Sequence, residues 1–162
     1  MNLPLPPADY EARMRRHAEA LVLSEIGLDA FGRQVYLTPE AGDAWQAMQR
    51  AAGEEGLQLL LLSGFRSVAR QEEILSRKLA DGGAFAEILR VSAYPGFSEH
   101  HTGRAVDVGS SACAHFEEAF EQTPEYAWLE KRAAEFGFFL SYPRDNACGI
   151  VFEPWHWCFR SP

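Results

Sequence analysis

Apolar positions along this chain switch between a spacing of two, a spacing of three to four, and short solid runs. Each switch marks an element. Residues 8–24 carry apolar and charged positions at roughly helical spacing and predict a short N-terminal helix. Leu28 to Thr38 places Gly32 between two apolar stretches, which predicts a small hairpin or extended segment. Thr38-Pro39-Glu40 is a helix start, with Thr as N-cap and Pro at the first helical position. That helix is expected to run to about Ala52, with Trp45 and Met48 on one face, and to end near Gly53 or Gly56. The solid run Leu57-Gln58-Leu59-Leu60-Leu61-Leu62 reads as a buried strand, stopped by Ser63-Gly64. Ser67 then caps a helix to about Ala80, which Asp81-Gly82-Gly83 breaks, and a short helix follows near 84–91. Tyr94 to Thr102 is rich in Pro and Gly and reads as a loop, while Arg104 to Val108 alternates as a strand. Helices are predicted near 113–121 and 124–136, the second opened by Thr123-Pro124-Glu125 and closed by Gly137. Phe138 to Tyr142 and residues near 150–160 read as strands.

The order of these elements predicts an α+β fold: a small central antiparallel sheet with helices packed around it, in one domain. Residues 1–56 would form a helical and extended segment packing on a core of residues 57–162. No internal repeat, low-complexity tract or linker interrupts the chain.

Composition narrows the function classes. The chain has 162 residues, enough for one compact core and too few for two comfortable ones. It is 47% hydrophobic and 23% charged, as in a globular protein. A formal net charge of -8 argues against a nucleic-acid partner, which a basic surface would serve. It leaves room for a small cationic patch inside a pocket. No apolar run is long enough to span a membrane. Met1 to Tyr10 has three prolines and no basic stretch leading into an apolar one, so it does not read as a signal peptide. The expected compartment is the cytoplasm, or the periplasm or cell envelope if a leader has been removed. The three cysteines, Cys113, Cys148 and Cys158, leave at least one thiol unpaired and form no CxxC pair. Cys113 with Cys148 or Cys158 is one possible disulfide in an oxidising compartment; the other reading is three small buried residues.

The candidate chemistry lies in two segments: Ser98-Glu99-His100-His101-Thr102-Gly103-Arg104-Ala105-Val106-Asp107, and Glu153-Pro154-Trp155-His156. A catalytic zinc takes three protein ligands and keeps a fourth position for water. His100, Asp107 and His156 are the candidate ligands, for one Zn2+ per chain. Glu153 is the candidate base for the proton of the activated water. Thr102-Gly103 permits the tight turn that lets His100 and Asp107 converge. On the predicted strand Ala105 and Asp107 share one face, and Val106 and Val108 anchor the other. Glu153 and His156 are three apart, so a kink or bulge at Pro154 is needed to bring them together. Trp155 and Trp157 would flank His156 and exclude water. Each of these residues alone is ordinary; the combination of SxHxxGxAxD with ExxH inside a Trp-rich segment carries the argument.

At these residues the chain resembles the zinc D-alanyl-D-alanine carboxypeptidases of the VanY type, within the wider group of D,D-peptidases and peptidoglycan amidohydrolases that share the metal site. The resemblance runs over roughly residues 57–160. It rests on Ser63-Gly64-Phe65-Arg66-Ser67, Pro95-Gly96-Phe97-Ser98-Glu99-His100, Thr102-Gly103-Arg104-Ala105-Val106-Asp107, Thr123-Pro124-Glu125-Tyr126-Ala127-Trp128-Leu129, Phe136-Gly137-Phe138 and Glu153-Pro154-Trp155-His156. The resemblance implies zinc at His100, Asp107 and His156, and the catalytic base at Glu153. It implies that Arg66 binds substrate or steadies an oxyanion, as a fixed guanidinium can. Gln71 and Ser98 match positions that contact substrate in relatives; for Ser98, bracing the loop is an equal reading. Cys158 stands where many relatives carry a basic residue.

The implied function is hydrolysis of the terminal D-Ala-D-Ala bond of peptidoglycan stem peptides, a D,D-carboxypeptidase activity. Alternatives on the same scaffold are a D,D-dipeptidase, an L,D-carboxypeptidase or a peptidoglycan endopeptidase. A non-catalytic peptidoglycan-binding module is a further alternative, disfavoured because all four site positions are filled.

Overall fold

A computed structural model describes residues 2–161 of the chain. A hairpin of β1 (Ser24–Leu28) and β2 (Gln34–Leu37) precedes α2 (Pro39–Glu54), after a single short turn of helix, α1 (Tyr10–Arg13). The main sheet follows, built from β3 (Leu60–Ser63), β4 (Ala105–Gly109), β5 (Phe138–Leu140) and β6 (His156–Phe159). Its spatial order is β3-β4-β6-β5 and every pairing is antiparallel. Between β3 and β4 lie α3 (Val68–Ala80), α4 (Phe85–Val91) and a 3-10 turn at Glu99–Thr102. Between β4 and β5 lie a 3-10 turn at Glu118–Gln122, α5 (Pro124–Arg132) and a 3-10 turn at Ala133–Phe136. The architecture is α+β, as the order of elements predicts.

The predicted helix starts are real caps. The Thr38 side chain accepts from Ala41 N, Ser67 from Arg70 N and Thr123 from Tyr126 N. Each hydroxyl satisfies an amide that the first helical turn leaves unpaired.

The alternation along β4 divides the sheet into two working faces. Val106 and Val108 pack with Leu61, Trp157, Phe138, Trp45 and Met48 in the main core, to which α5 adds Tyr126, Trp128 and Leu129. Trp45 and Met48 are fully buried, each contributing about 2–3 kcal/mol through burial. The other face carries Asp107 and His156. A second apolar cluster, of Tyr10, Met14, Leu75, Ile88, Leu89, Phe97, Tyr142 and Ile150, supports α3 and α4 beside it.

Three expectations need correction. The N-terminal helix over 8–24 shrinks to Tyr10–Arg13, and the chain then runs extended into β1. There its amides serve tertiary partners: His17 N donates to Gly96 O and Ala20 N to His101 O. Long-range pairing of the backbone overrides a weak helical periodicity. The helix near 113–121 is only the 3-10 turn at Glu118–Gln122, after a narrow bridge between Ser110 and Cys113. The strand near 150–160 is confined to β6. Of the two readings left open for the cysteines, the structure takes the second: all three are free, with Cys113 and Cys158 buried and Cys148 partly so.

Candidate metal centre

Strand register assembles the site. Asp107 lies opposite His156 across β4 and β6, and opposite Ser63 across β3 and β4. Directly opposed residues on one face stand within side-chain reach. This row therefore brings together two candidate ligands whose sequence separation is 49 residues. His100 joins them from the 3-10 turn, which Gly103 closes in the left-handed conformation at φ 66°. Of the kink or bulge expected at Pro154, the structure has the kink, a tight turn: His156 N donates to Glu153 O at 3.2 Å as the chain enters β6. The turn brings Glu153 Oε2 to 3.9 Å from His156 Nδ1, so the two predicted partners do share the site.

His100, Asp107 and His156 are all buried, and one ligand atom from each falls within 4.8 Å of the others. His100 Nε2 is 3.1 Å from Asp107 Oδ2, and His156 Nδ1 is 3.1 Å from Asp107 Oδ1. Outer partners orient both rings. His100 Nδ1 lies 2.7 Å from Gly64 O, and His156 Nε2 lies 3.2 Å from Glu99 Oε1. An acceptor at the far nitrogen places the proton there and turns the other lone pair inward. Gly64 is required for the first of these contacts, because a Cβ there would stand 2.4 Å from Val35 Cγ1. Two imidazoles and one carboxylate, held this way, fit a four-coordinate divalent ion with one open position.

Electrostatics agree with that donor set. Burial drives the His100 pKa down, keeping its ring neutral. Burial opposes the charge on Asp107, yet the neighbouring His100 and His156 outweigh it and hold the carboxyl well below its usual range. For His156, burial also opposes charge, but hydrogen bonds to Asp107 and Glu99 win and raise its pKa to about 10. The metal-free pocket thus holds a proton where a cation belongs. Glu153 behaves differently from the other acids: burial, the largest influence, pushes it up to about 7. A carboxylate poised near neutrality is suited to accept and return a proton.

Arg66 shares the cleft. Its guanidinium donates to Gln71 Oε1 at 2.9 Å and to Ser63 Oγ at 3.1 Å, while its backbone N donates to His100 O. Gln71 is buried, and its Nε2 donates to Ala93 O at 2.7 Å. Both ends of its amide are engaged, so it steadies Arg66 from α3. Ser98 is buried too, and its Oγ accepts from His100 N at 3.2 Å, bracing the ligand turn. All three line a cleft of about 640 Å³ together with the metal group and Glu153. Trp157 lies on the opposite side of β6 from its neighbour His156, faces the main core and donates to Pro154 O, while Trp155, in the turn before the strand, lines this cleft.

Two contributors escaped the sequence reading. Glu99 is the outer partner of His156. His101, fully buried, places Nδ1 2.7 Å from Arg66 O and accepts from Gly96 N through Nε2, tying the Arg66 segment to the ligand turn. Their only signal was adjacency to His100; a charge next to a ligand has no periodicity to reveal its aim.

Comparisons with known proteins fit this geometry. The family model described as VanY, D-alanyl-D-alanine carboxypeptidase, matches residues 34–162. The match begins at β2, so the family region includes the hairpin's second strand and α2 as well as the segments quoted above. YodJ of Bacillus subtilis (strain 168) is 36% identical over 124 residues, covering 75% of this chain and 45% of that protein. VanXYC of Enterococcus gallinarum, a bifunctional D-Ala-D-Ala dipeptidase and carboxypeptidase, is 33% identical over 131 residues, covering 75% of this chain and 66% of that protein. The chain thus spans about half to two thirds of the length of these relatives. Among solved structures, the LdcB LD-carboxypeptidase superposes with a TM-score of 0.78 at 32% identity, over 88% of this chain and 70% of that one. A mutant of the vancomycin-resistance D,D-pentapeptidase VanY in complex with Zn(II) superposes at 0.66 and 26% identity, over 90% and 80%. With the family match extending over most of its length and a buried His/Asp/His group at the centre of its cleft, the chain belongs to the VanY family of D-alanyl-D-alanine carboxypeptidases.

Proposed function

We propose that this chain is a zinc peptidase that removes the terminal D-alanine from peptidoglycan stem peptides ending in D-Ala-D-Ala. The observation that carries the proposal is the convergence of the His100, Asp107 and His156 donors beside the buried Glu153 carboxylate, in one cleft with Arg66. A zinc ion held by those three residues would supply Lewis acidity and a water that loses its proton near neutral pH. Glu153 accepts that proton at a carboxylate oxygen and later gives it to the nitrogen of the departing D-alanine. Arg66, held by Ser63 and Gln71, faces the negative charge that grows on the scissile carbonyl oxygen. His100 and His156 keep their orientation through Gly64 O and Glu99. The Zn(II) complex of a VanY neighbour supports the choice of metal.

The similarity to LdcB favours a second reading, an L,D-carboxypeptidase acting on a stem whose terminal D-alanine follows an L-centre. One experiment tests both readings. Chelated and zinc-restored protein are incubated with a pentapeptide stem ending in D-Ala-D-Ala and with the tetrapeptide stem, and free D-alanine is measured. Zinc-dependent release from the pentapeptide is expected. Release from the tetrapeptide alone would replace the first reading by the second, and release from neither would sink both.

A further inference from the structure

Beyond Gln71, α3 continues into the cleft through Ile74 and Lys78. These positions recur at helical spacing and so share one face. Lys78 lies about 10 Å further along the helix axis than Gln71. Helical side chains lean toward the N-terminus, so the long lysine stem returns toward Arg66 and the metal group. Its Nζ donates to Ser92 Oγ at 2.6 Å. An ammonium has three protons to donate, and this contact uses one. Among the described residues, no carboxylate lies within ion-pair distance of Lys78. Lys78 is half-buried, and Ile74, Val91, Ala93, Ile150 and Val151 are apolar residues that line the same cleft. Burial, and next the positive charge of Arg66, lower the Lys78 pKa, against the opposing charge of the more distant Glu153. In a chain of net charge -8, an unpaired cation held inside a cleft is unlike the exposed lysines and arginines that meet acids on the surface.

An ammonium in a cleft with apolar walls suits an anion carried on an apolar group, such as the free carboxylate of a terminal alanine. We propose that Lys78, held by Ser92, anchors the C-terminal carboxylate of the substrate, making the cleft selective for cleavage at a free chain end over cleavage within a peptide. The inference rests on the peptidase reading above. It adds a specificity determinant on α3, on the residue that leaves, distinct from Arg66 at the reacting carbonyl.

The test compares D-Ala-D-Ala-terminated stem peptide with the same peptide carrying a C-terminal amide, using zinc-loaded wild type, Lys78→Met and Lys78→Arg. The readout is the ratio of kcat/KM for acid over amide. A charge-assisted contact of this kind predicts that Lys78→Met lowers the ratio by roughly 10- to 100-fold, chiefly through KM, and that Lys78→Arg keeps most of it. In parallel, calorimetry measures D-Ala-D-Ala and its amide binding to zinc-loaded Glu153→Gln, with and without Lys78→Met. Turnover with an unchanged acid/amide ratio in Lys78→Met overturns the anchor and leaves the peptidase reading standing. Absent turnover, with Lys78-dependent preference for the acid in binding, overturns the reading and keeps the anchor. Absence of both overturns both.

Discussion

The cleft is made of two halves built on different supports. The metal half stands on paired strands: Asp107 and His156 face each other across β4 and β6, all three candidate ligands are buried, and each histidine has a second partner behind it. The cation half hangs from one helix and the loops beside it: Arg66 precedes α3, Gln71, Ile74 and Lys78 lie along it, and Ser92 follows α4. Strands fixed by a ladder on both sides hold side chains to narrow tolerances, which a metal demands. A half-buried helix face holds charges in an apolar wall, where small changes of residue alter what fits. On the proposed function, the sheet would hold the metal group while the far end of α3 sets which peptide end is bound, and Arg66 would join the two halves at the reacting carbonyl.

Substitutions and titrations can break that comparison. The largest effect is expected on the metal half. Glu153→Gln should lower kcat by about 10³-fold while zinc content stays near one per chain, because the proton acceptor is lost and the three ligands remain. Near-native kcat in that variant would remove Glu153 from the mechanism. On the cation half, Arg66→Lys should cost about 10²-fold in kcat/KM, since a lysine cannot reproduce the fixed planar fork between Ser63 and Gln71. A loss as severe as that of Glu153→Gln would show that the halves are not separable.

Metal uptake sharpens the contrast in protonation. His156 is raised to about 10 in the metal-free pocket, so below that pH the metal must displace its proton. Zinc affinity should then rise about tenfold per pH unit between roughly pH 7 and 9, with one proton released per ion on this account. Competition titrations against a chelator of known affinity would show this slope; a flat profile would mean His156 enters the metal-free state neutral. The smallest effect belongs outside both halves. Thr38→Ala removes the cap of α2 and should lower stability by about 1 kcal/mol in denaturant unfolding, with kcat unchanged.

Local signals were the legible part. Thr38, Ser67 and Thr123 announced three helices because a cap is chemistry within four residues, and β4 announced itself by alternation. The candidate ligand set and candidate base were legible as a motif, and the structure brings those four residues together in one cleft. The strap after α1 was not legible, since its amides pair with Gly96 and His101 some eighty residues away. Nor was the form of the chain at Pro154: three-residue spacing allowed a kink or a bulge, and the pairing of Asp107 with His156 goes with a kink in the form of a tight turn.

The sequence by itself determined the element order, the helix caps and the identity of the groups that can bind metal and move a proton, because these depend on neighbours along the chain. Only the tertiary structure decided which nitrogen of each histidine faces the ligand group, that Gln71 supports Arg66, and that Lys78 meets no carboxylate at ion-pair distance among the described residues. Those facts depend on what stands opposite each side chain after the sheet closes, and burial there sets both the hydrogen-bond partners and the pKa values.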